Sequence, residues 1–294
     1  MSRPPVPVTV IGGYLGAGKT SLVNHLLRRS GLRLGVLVNE FGALPIDADL
    51  IEAEGEALIS IAGGCVCCAF GDDLAGGLRD LAALDPAPEH VLVEASGVAL
   101  PGAVAGTVSL VREAALGAVL VLADAETVRG AAAERYMGDT VLRQIADADL
   151  IVLTKTDLAD PGPVRAWLSG LTRAPVAEAR HGALDPALAL GPHPGRAPPV
   201  GAHHAPGLAS VALDPGGADA RALAAALAGA PEVVRAKGFV GDGGGLVLVQ
   251  VVGARWRIGP APGGAEPGLV CIGPEGLDAD GIGRIVRAAA TGRH

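Results

Sequence analysis

Gly13-Tyr14-Leu15-Gly16-Ala17-Gly18-Lys19-Thr20 decides how this chain is read. It follows an apolar run, Val6 to Ile11, and precedes a stretch of helical character, Ser21 to Arg28. A strand, a glycine-rich turn and a helix in that order make a P-loop. Glycines at 13, 16 and 18 let the backbone turn and approach a ligand closely. Amide groups along such a loop, including those of Ala17 and Ser21, converge on phosphate oxygens, and the helix N-terminus behind them adds partial positive charge. Lys19 is expected to reach the β- and γ-phosphates and to assist phosphoryl transfer, and Thr20 to ligate Mg²⁺ through its hydroxyl.

Around this motif the apolar runs are short and nearly continuous: Leu34–Val38, His90–Val93, Ala118–Ala123, Leu150–Leu153 and Val176–Ala177. Such runs suit parallel strands buried on both faces. Ala/Leu-rich stretches at Leu74–Leu84 and Thr140–Ala146 alternate with them. This predicts an α/β fold, a P-loop NTPase with a mostly parallel sheet flanked by helices. From about residue 185 to 207 proline, glycine and histidine accumulate, and His203-His204 close the stretch. The expected organisation is a nucleotide domain over 1–188, a linker over 189–206 and a small α+β domain over 207–294. In the last, Leu208–Leu213, Phe239–Val240, Leu246–Val251, Arg255–Ile258 and Leu269–Ile272 read as strands, and Ala218–Leu227 and Asp280–Ala290 as helices.

Two further segments complete a nucleotide site. Leu150-Ile-Val-Leu-Thr154-Lys155-Thr156-Asp157 is a buried strand ending in T-K-x-D. An aspartate at the fourth position accepts hydrogen bonds from N1–H and the exocyclic amine of guanine. Adenine offers no such pair of donors, so the carboxylate would go unpaired with ATP. Lys155 is expected to lie along the base and brace the P-loop, and Thr154 stands where asparagine is commoner. Between the two motifs, Val91-Leu-Val-Glu94-Ala-Ser-Gly97 is an apolar strand that ends in an acid. Glu94 is placed to handle Mg²⁺ or its water, and Gly97 to report the γ-phosphate through its amide. No residue stands out as the base for the attacking water. Asp47 and Glu94 are the candidates, and slow hydrolysis is expected without a partner or a second subunit, such as a homodimer would supply.

Composition restricts the partners. Half of the 294 residues are apolar, only 2% are aromatic, and the net charge is −8. That balance gives no general attraction to nucleic acid or anionic membranes, no apolar run approaches a membrane span, and a cytoplasmic protein is expected. Cysteines 65, 67 and 68 cluster in Gly63-Gly64-Cys65-Val66-Cys67-Cys68, while Cys271 lies alone in an apolar run that reads as a strand. Crowded thiols in a reducing compartment read as metal ligands or redox groups. Thiolates favour Zn²⁺, with Cu(I) also suited. Three within four positions do not close a tetrahedral shell, so a further ligand is expected from elsewhere, or an open position. Glu40, in Asn39-Glu40-Phe41-Gly42, is the candidate outside ligand, ahead of His203 and His204.

These segments together resemble the CobW-type family of P-loop GTPases. The likeness rests on the P-loop, Asn39-Glu-Phe-Gly42 with Ile46-Asp47, Gly64-Cys-Val-Cys-Cys68, Glu94-Ala-Ser-Gly97, Asp124-Ala125, Gln144, Ala148 through Asp157, and Arg235-Ala-Lys-Gly-Phe239. The resemblance implies a GTP-dependent metallochaperone that delivers zinc, cobalt or another transition metal to a client protein or to cobalamin synthesis. It implies metal ligands at Cys65, Cys67 and Cys68, and GTP held by Gly16, Gly18, Lys19, Thr20, Lys155 and Asp157. The chain departs from the pattern at Ala43, where many members carry glutamate, and in its histidine-poor linker. Two other readings remain open: a metal buffer or sensor with a regulatory GTP site, and a P-loop small-molecule kinase, for which no arginine-bearing lid segment is found.

Overall fold

The computed structural model describes residues 3–39, 58–61, 70–191, 208–242, 244–261, 265–274 and 276–291. The chain divides into two compact units, Met1–Pro186 and Ala187–His294. In the first, the order is β1 (Val6–Gly13), α1 (Lys19–Arg29), β2 (Leu34–Asn39), β3 (Leu58–Ile61), α2 (Phe70–Ala83), β4 (His90–Glu94), α3 (Pro101–Leu110), β5 (Ala114–Asp124), α4 (Val128–Ala133), α5 (Gly138–Asp147), β6 (Leu150–Thr154), α6 (Gly162–Ser169) and β7 (Val176–Ala179). Seven strands form one sheet in the order β3-β2-β4-β1-β5-β6-β7, with every pairing parallel. From β1 the chain builds outward on both sides, so the carboxyl end of β1 is the point where the winding reverses. Ligands of open α/β sheets bind at that crevice.

Valine, leucine and isoleucine fill the strands because helices cover both sheet faces. Val10, Val93, Val119, Leu120, Ile151 and Leu153 are fully buried. The β5 strand begins at Ala114, ahead of the Ala118–Ala123 run. Its register against β1 slips between Val8 and Thr9, which face Leu116 and Ala118. Gly117 is the extra residue of that bulge, and it interrupts the apolar pattern. Helix α3 starts with Pro101 in its first turn, where a missing N–H breaks no intrahelical bond. A short helix, α7 (Pro186–Leu190), stands where composition reads as linker. Its proline also opens the first turn, and Leu188, Ala189 and Leu190 are buried.

The second unit continues with β8 (Leu208–Leu213), α8 (Ala220–Ala228), β9 (Arg235–Gly241), β10 (Leu246–Val252), β11 (Arg255–Pro260), β12 (Gly268–Pro274) and α9 (Ala279–Thr291). Its sheet runs β11-β10-β9-β12-β8, antiparallel throughout. Asp219 caps α8 by accepting a hydrogen bond from the Ala222 amide at 2.8 Å. Cys271 is wholly buried among the residues of α8 and α9, and burial pushes its thiol up to about 12. It packs as a small apolar side chain. Among the described residues no helix is long and apolar enough to cross a membrane.

Candidate nucleotide and metal site

Parallel register brings Glu94, Asp124 and Thr154 to one edge of the first sheet. Ile11 of β1 pairs with Glu94 of β4, Asp124 of β5 with Thr154 of β6, and Thr154 with Ala179 of β7. The loop after β1 lies at the same edge. Gly13 has φ +132° and Gly16 φ +75°, and a Cβ on Gly13 would fall 2.5 Å from the Leu122 carbonyl oxygen. Gly18, at φ +91°, is the N-cap of α1 and provides no side-chain cap, and the first turn holds no acid. The positive end of α1 is therefore left for an anion. Ser21 is exposed in that first turn.

Lys19 lays its ammonium across the loop, donating to the carbonyls of Gly13 at 3.1 Å and Tyr14 at 3.4 Å. The Thr20 hydroxyl donates to Glu94 Oε1 at 2.9 Å. Glu94 is 3% exposed. Two hard oxygens thus meet below the loop, a donor set of the kind Mg²⁺ takes. Gly97 follows closely: a Cβ there would lie 2.5 Å from Leu15 Cδ2 and 3.0 Å from the Leu15 nitrogen. Only glycine lets the turn after β4 lie flush against the P-loop. Gln144 of α5 secures that turn, donating through Nε2 to the carbonyls of Gly97 at 3.1 Å and Ala99 at 2.8 Å.

The T-K-x-D turn divides its labour differently from the expectation. Thr154, buried, donates from Oγ1 to the Ala17 carbonyl at 2.9 Å. It is this hydroxyl that braces the P-loop. Lys155 has φ +56° and pairs with Asp124 at 2.6 Å. Burial pulls the Asp124 carboxyl upward, but hydrogen bonds from Lys155, the Glu126 amide and Thr127 outweigh it, leaving Asp124 below the ordinary carboxylate range. Asp157 is partly exposed, 3.8 Å from His181 Nε2. His181 belongs to a tight turn after β7, closed by the Ala183 amide donating to the Arg180 carbonyl at 2.9 Å. Gly182, at φ +75°, brings this turn against α1: a Cβ would sit 2.7 Å from the Ser21 carbonyl oxygen.

Register and hydrogen bonds bring Lys19, Thr20, Glu94, Gly97, Thr154, Lys155 and Asp157 to one edge of the first sheet. Sequence reading passed over the clamping role of Gln144, the tether from Thr154, and the Arg180–Gly182 turn. A glycine shortly after the β7 run was the available signal for the last. Glu40, Asp47, Cys65, Cys67 and Cys68 lie outside the described residues, as do His203 and His204. Among the described residues no group of three or more His, Cys, Asp or Glu is arranged to hold a metal ion.

Residues 7–174 match the family model described as CobW/HypB/UreG, nucleotide-binding domain. The chain is 33% identical over 220 residues to a zinc chaperone CobW of Sinorhizobium sp, an alignment covering 63% of this chain and 62% of that protein. It is 33% identical over 194 residues to the zinc chaperone YjiA of Escherichia coli (strain K12), covering 62% and 59% respectively. The matched region thus spans less than two thirds of the length of these relatives. The crystal structure of Zn(II)-bound YjiA GTPase from E. coli aligns with a TM-score of 0.49 at 22% identity, over 98% of this chain and 99% of that one.

Proposed function

The chain belongs to the CobW/HypB/UreG family of nucleotide-binding proteins, and on that premise we propose that it is a GTP-hydrolysing metallochaperone with zinc as its cargo. The observation that carries this reading is the hydrogen bond from Thr154 to the Ala17 carbonyl. It fastens the turn bearing Asp157 to the phosphate-binding loop, so base and phosphates are read by one rigid unit. Lys19 leaves its loop carbonyls for the β- and γ-phosphates. Asp157 accepts from guanine, and Lys155, held by Asp124, flanks the base.

Thr20 and Glu94 would hold Mg²⁺ beside the phosphates. When bound, that ion supplies neutralisation of the charge developing on the terminal phosphoryl group. Gly97, pressed against Leu15 and clamped by Gln144, offers its amide to the γ-phosphate. Asp47 and Glu94 are the groups proposed to orient the attacking water. Zinc as cargo rests on Cys65, Cys67 and Cys68, with Glu40 as an outside ligand, and on the names of two relatives, both zinc chaperones. The thiolates would also accept cobalt. Order in the nucleotide switches and closure of the thiolates rise together in this reading, and hydrolysis loosens both for transfer to a metalloprotein client. The setting is the cytoplasm, where thiols stay reduced.

Asp157→Asn tests the premise of guanine recognition. The variant should lose GTP affinity and gain affinity for xanthosine triphosphate, measured by equilibrium binding of both nucleotides. Unchanged GTP affinity would remove Asp157 from the base site and the GTPase reading with it.

A further inference from the structure

Among the described residues, those other than glycine with positive φ are Lys155 at +56° and His181 at +51°. Both stand beside Asp157, one in the turn after β6 and the other in the turn after β7. A side chain in the left-handed region crowds its own backbone, and such strain gathers at binding sites. Lys155 has its task in the pair with Asp124. His181 takes no part in the proposed nucleotide chemistry.

The turn that carries His181 is fixed from several directions. Register pairs Thr154 with Ala179, so the chain leaves β6 and β7 side by side. Arg180 donates from Nε to Thr156 Oγ1 at 3.4 Å, and Thr156 is buried. The Ala183 amide closes the turn on the Arg180 carbonyl, and Gly182 packs against the Ser21 carbonyl of α1. The imidazole stands clear of these ties. Its side chain is 84% exposed, and Nε2 lies 3.8 Å from Asp157 Oδ2. That separation is too long for a hydrogen bond, so both groups keep their capacity for a partner that meets the two together.

A guanine edge is such a partner. It carries its amine, N1–H and O6 in a row. Asp157 is proposed to accept from the first two. O6 comes next, and it is an acceptor. It requires a donor one step along from the carboxylate. Several neighbouring donors are already spent: the Lys155 ammonium on Asp124, Arg180 Nε on Thr156 and the Ala183 amide on the Arg180 carbonyl. We infer that the His181 side chain is a second specificity-determining group for the base, donating from Nε2 to O6 while Asp157 holds N1–H and the amine. The inference rests on the proposed role of Asp157 and adds to it the opposite half of the base edge.

The test measures binding of GDP, 6-thio-GDP and IDP to the full chain by titration calorimetry at neutral pH. Sulfur in place of O6 is a weak acceptor, whereas the inosine nucleotide keeps O6 and lacks the amine. The unaltered protein should prefer GDP over 6-thio-GDP by about fivefold. His181→Ala should lose about that factor in GDP affinity and most of that preference. Its preference for GDP over IDP, which belongs to Asp157, should stay. His181→Gln, with a donor at similar reach, should recover what the alanine loses. The inference is overturned if His181→Ala weakens GDP and 6-thio-GDP alike, which makes the residue structural. It is also overturned if the alanine leaves both affinities unchanged, which gives O6 to a main-chain donor. An unaltered protein that does not distinguish GDP from IDP would remove Asp157 from the base site and this inference with it.

Discussion

At Thr154, where asparagine is the commoner residue, a hydroxyl tethers the phosphate-binding loop. Its donor is met by the Ala17 carbonyl at 2.9 Å in a site only 4% exposed. Burial makes that bond matter, because a lost partner leaves a carbonyl without water to replace it. Thr154→Val keeps the shape and removes the donor. A net loss of about 1–1.5 kcal/mol is expected, or roughly tenfold in GTP affinity, with Thr154→Ser restoring most of it. Titration calorimetry with a non-hydrolysable GTP analogue measures the difference. Equal affinities in all three proteins would show that the tether does not hold the loop. Lys155, expected to lie along the base and brace the P-loop, pairs its ammonium with Asp124 in this structure.

Helix α5 acts on the candidate site through the segment that follows β4. It presents Gln144, almost fully buried, whose amide nitrogen holds two carbonyls of the turn after β4. That turn carries Gly97 and leads into α3, whose Gly102 amide donates to Asp147 of α5 at 2.9 Å. One helix thus fixes both ends of the segment expected to sense the γ-phosphate. Gln144→Met removes the donor while filling the space. It should destabilise the protein by about 1–3 kcal/mol, read from urea unfolding. GTP turnover should fall more than GDP affinity does, because Gly97 is placed for the terminal phosphate. If turnover and GDP affinity drop in parallel, Gln144 serves only the fold.

For the molecule as a whole, the proposal is a coupling between nucleotide and metal. The segments bearing Glu40, Asp47 and the three clustered cysteines lie between β2 and α2, in the same unit as the P-loop. Coupling between two ligands is reciprocal. GTP should therefore tighten zinc binding by some factor, and zinc should tighten GTP binding by that same factor, each measured by competition with a chromophoric chelator or a fluorescent nucleotide. Replacing Cys65, Cys67 and Cys68 together by serine should abolish stoichiometric zinc and the coupling while leaving GTP affinity in zinc-free buffer unchanged. Zinc that remains bound would place its ligands elsewhere, and two affinities that ignore one another would end the chaperone reading.

The motifs were legible in the sequence because the chemistry is local. A phosphate loop needs glycines, a lysine and a hydroxyl within eight positions, and the turn proposed to read guanine carries its aspartate three residues after its threonine. The strands were equally legible at Leu34–Val38, His90–Val93 and Leu150–Leu153, since a sheet buried on both faces demands unbroken apolar runs. At Gly117 that logic failed, because a bulge depends on the facing strand and leaves little trace in its own sequence. The tertiary structure alone decided which partners meet. Thr20 and Glu94 are 74 residues apart, Thr154 and Ala17 are 137 apart, and no local pattern encodes either bond. Parallel register sets both, by bringing the carboxyl ends of β1, β4, β5 and β6 to one edge. In the second sheet, antiparallel pairing likewise brings Lys237, Gln250 and Arg257 side by side.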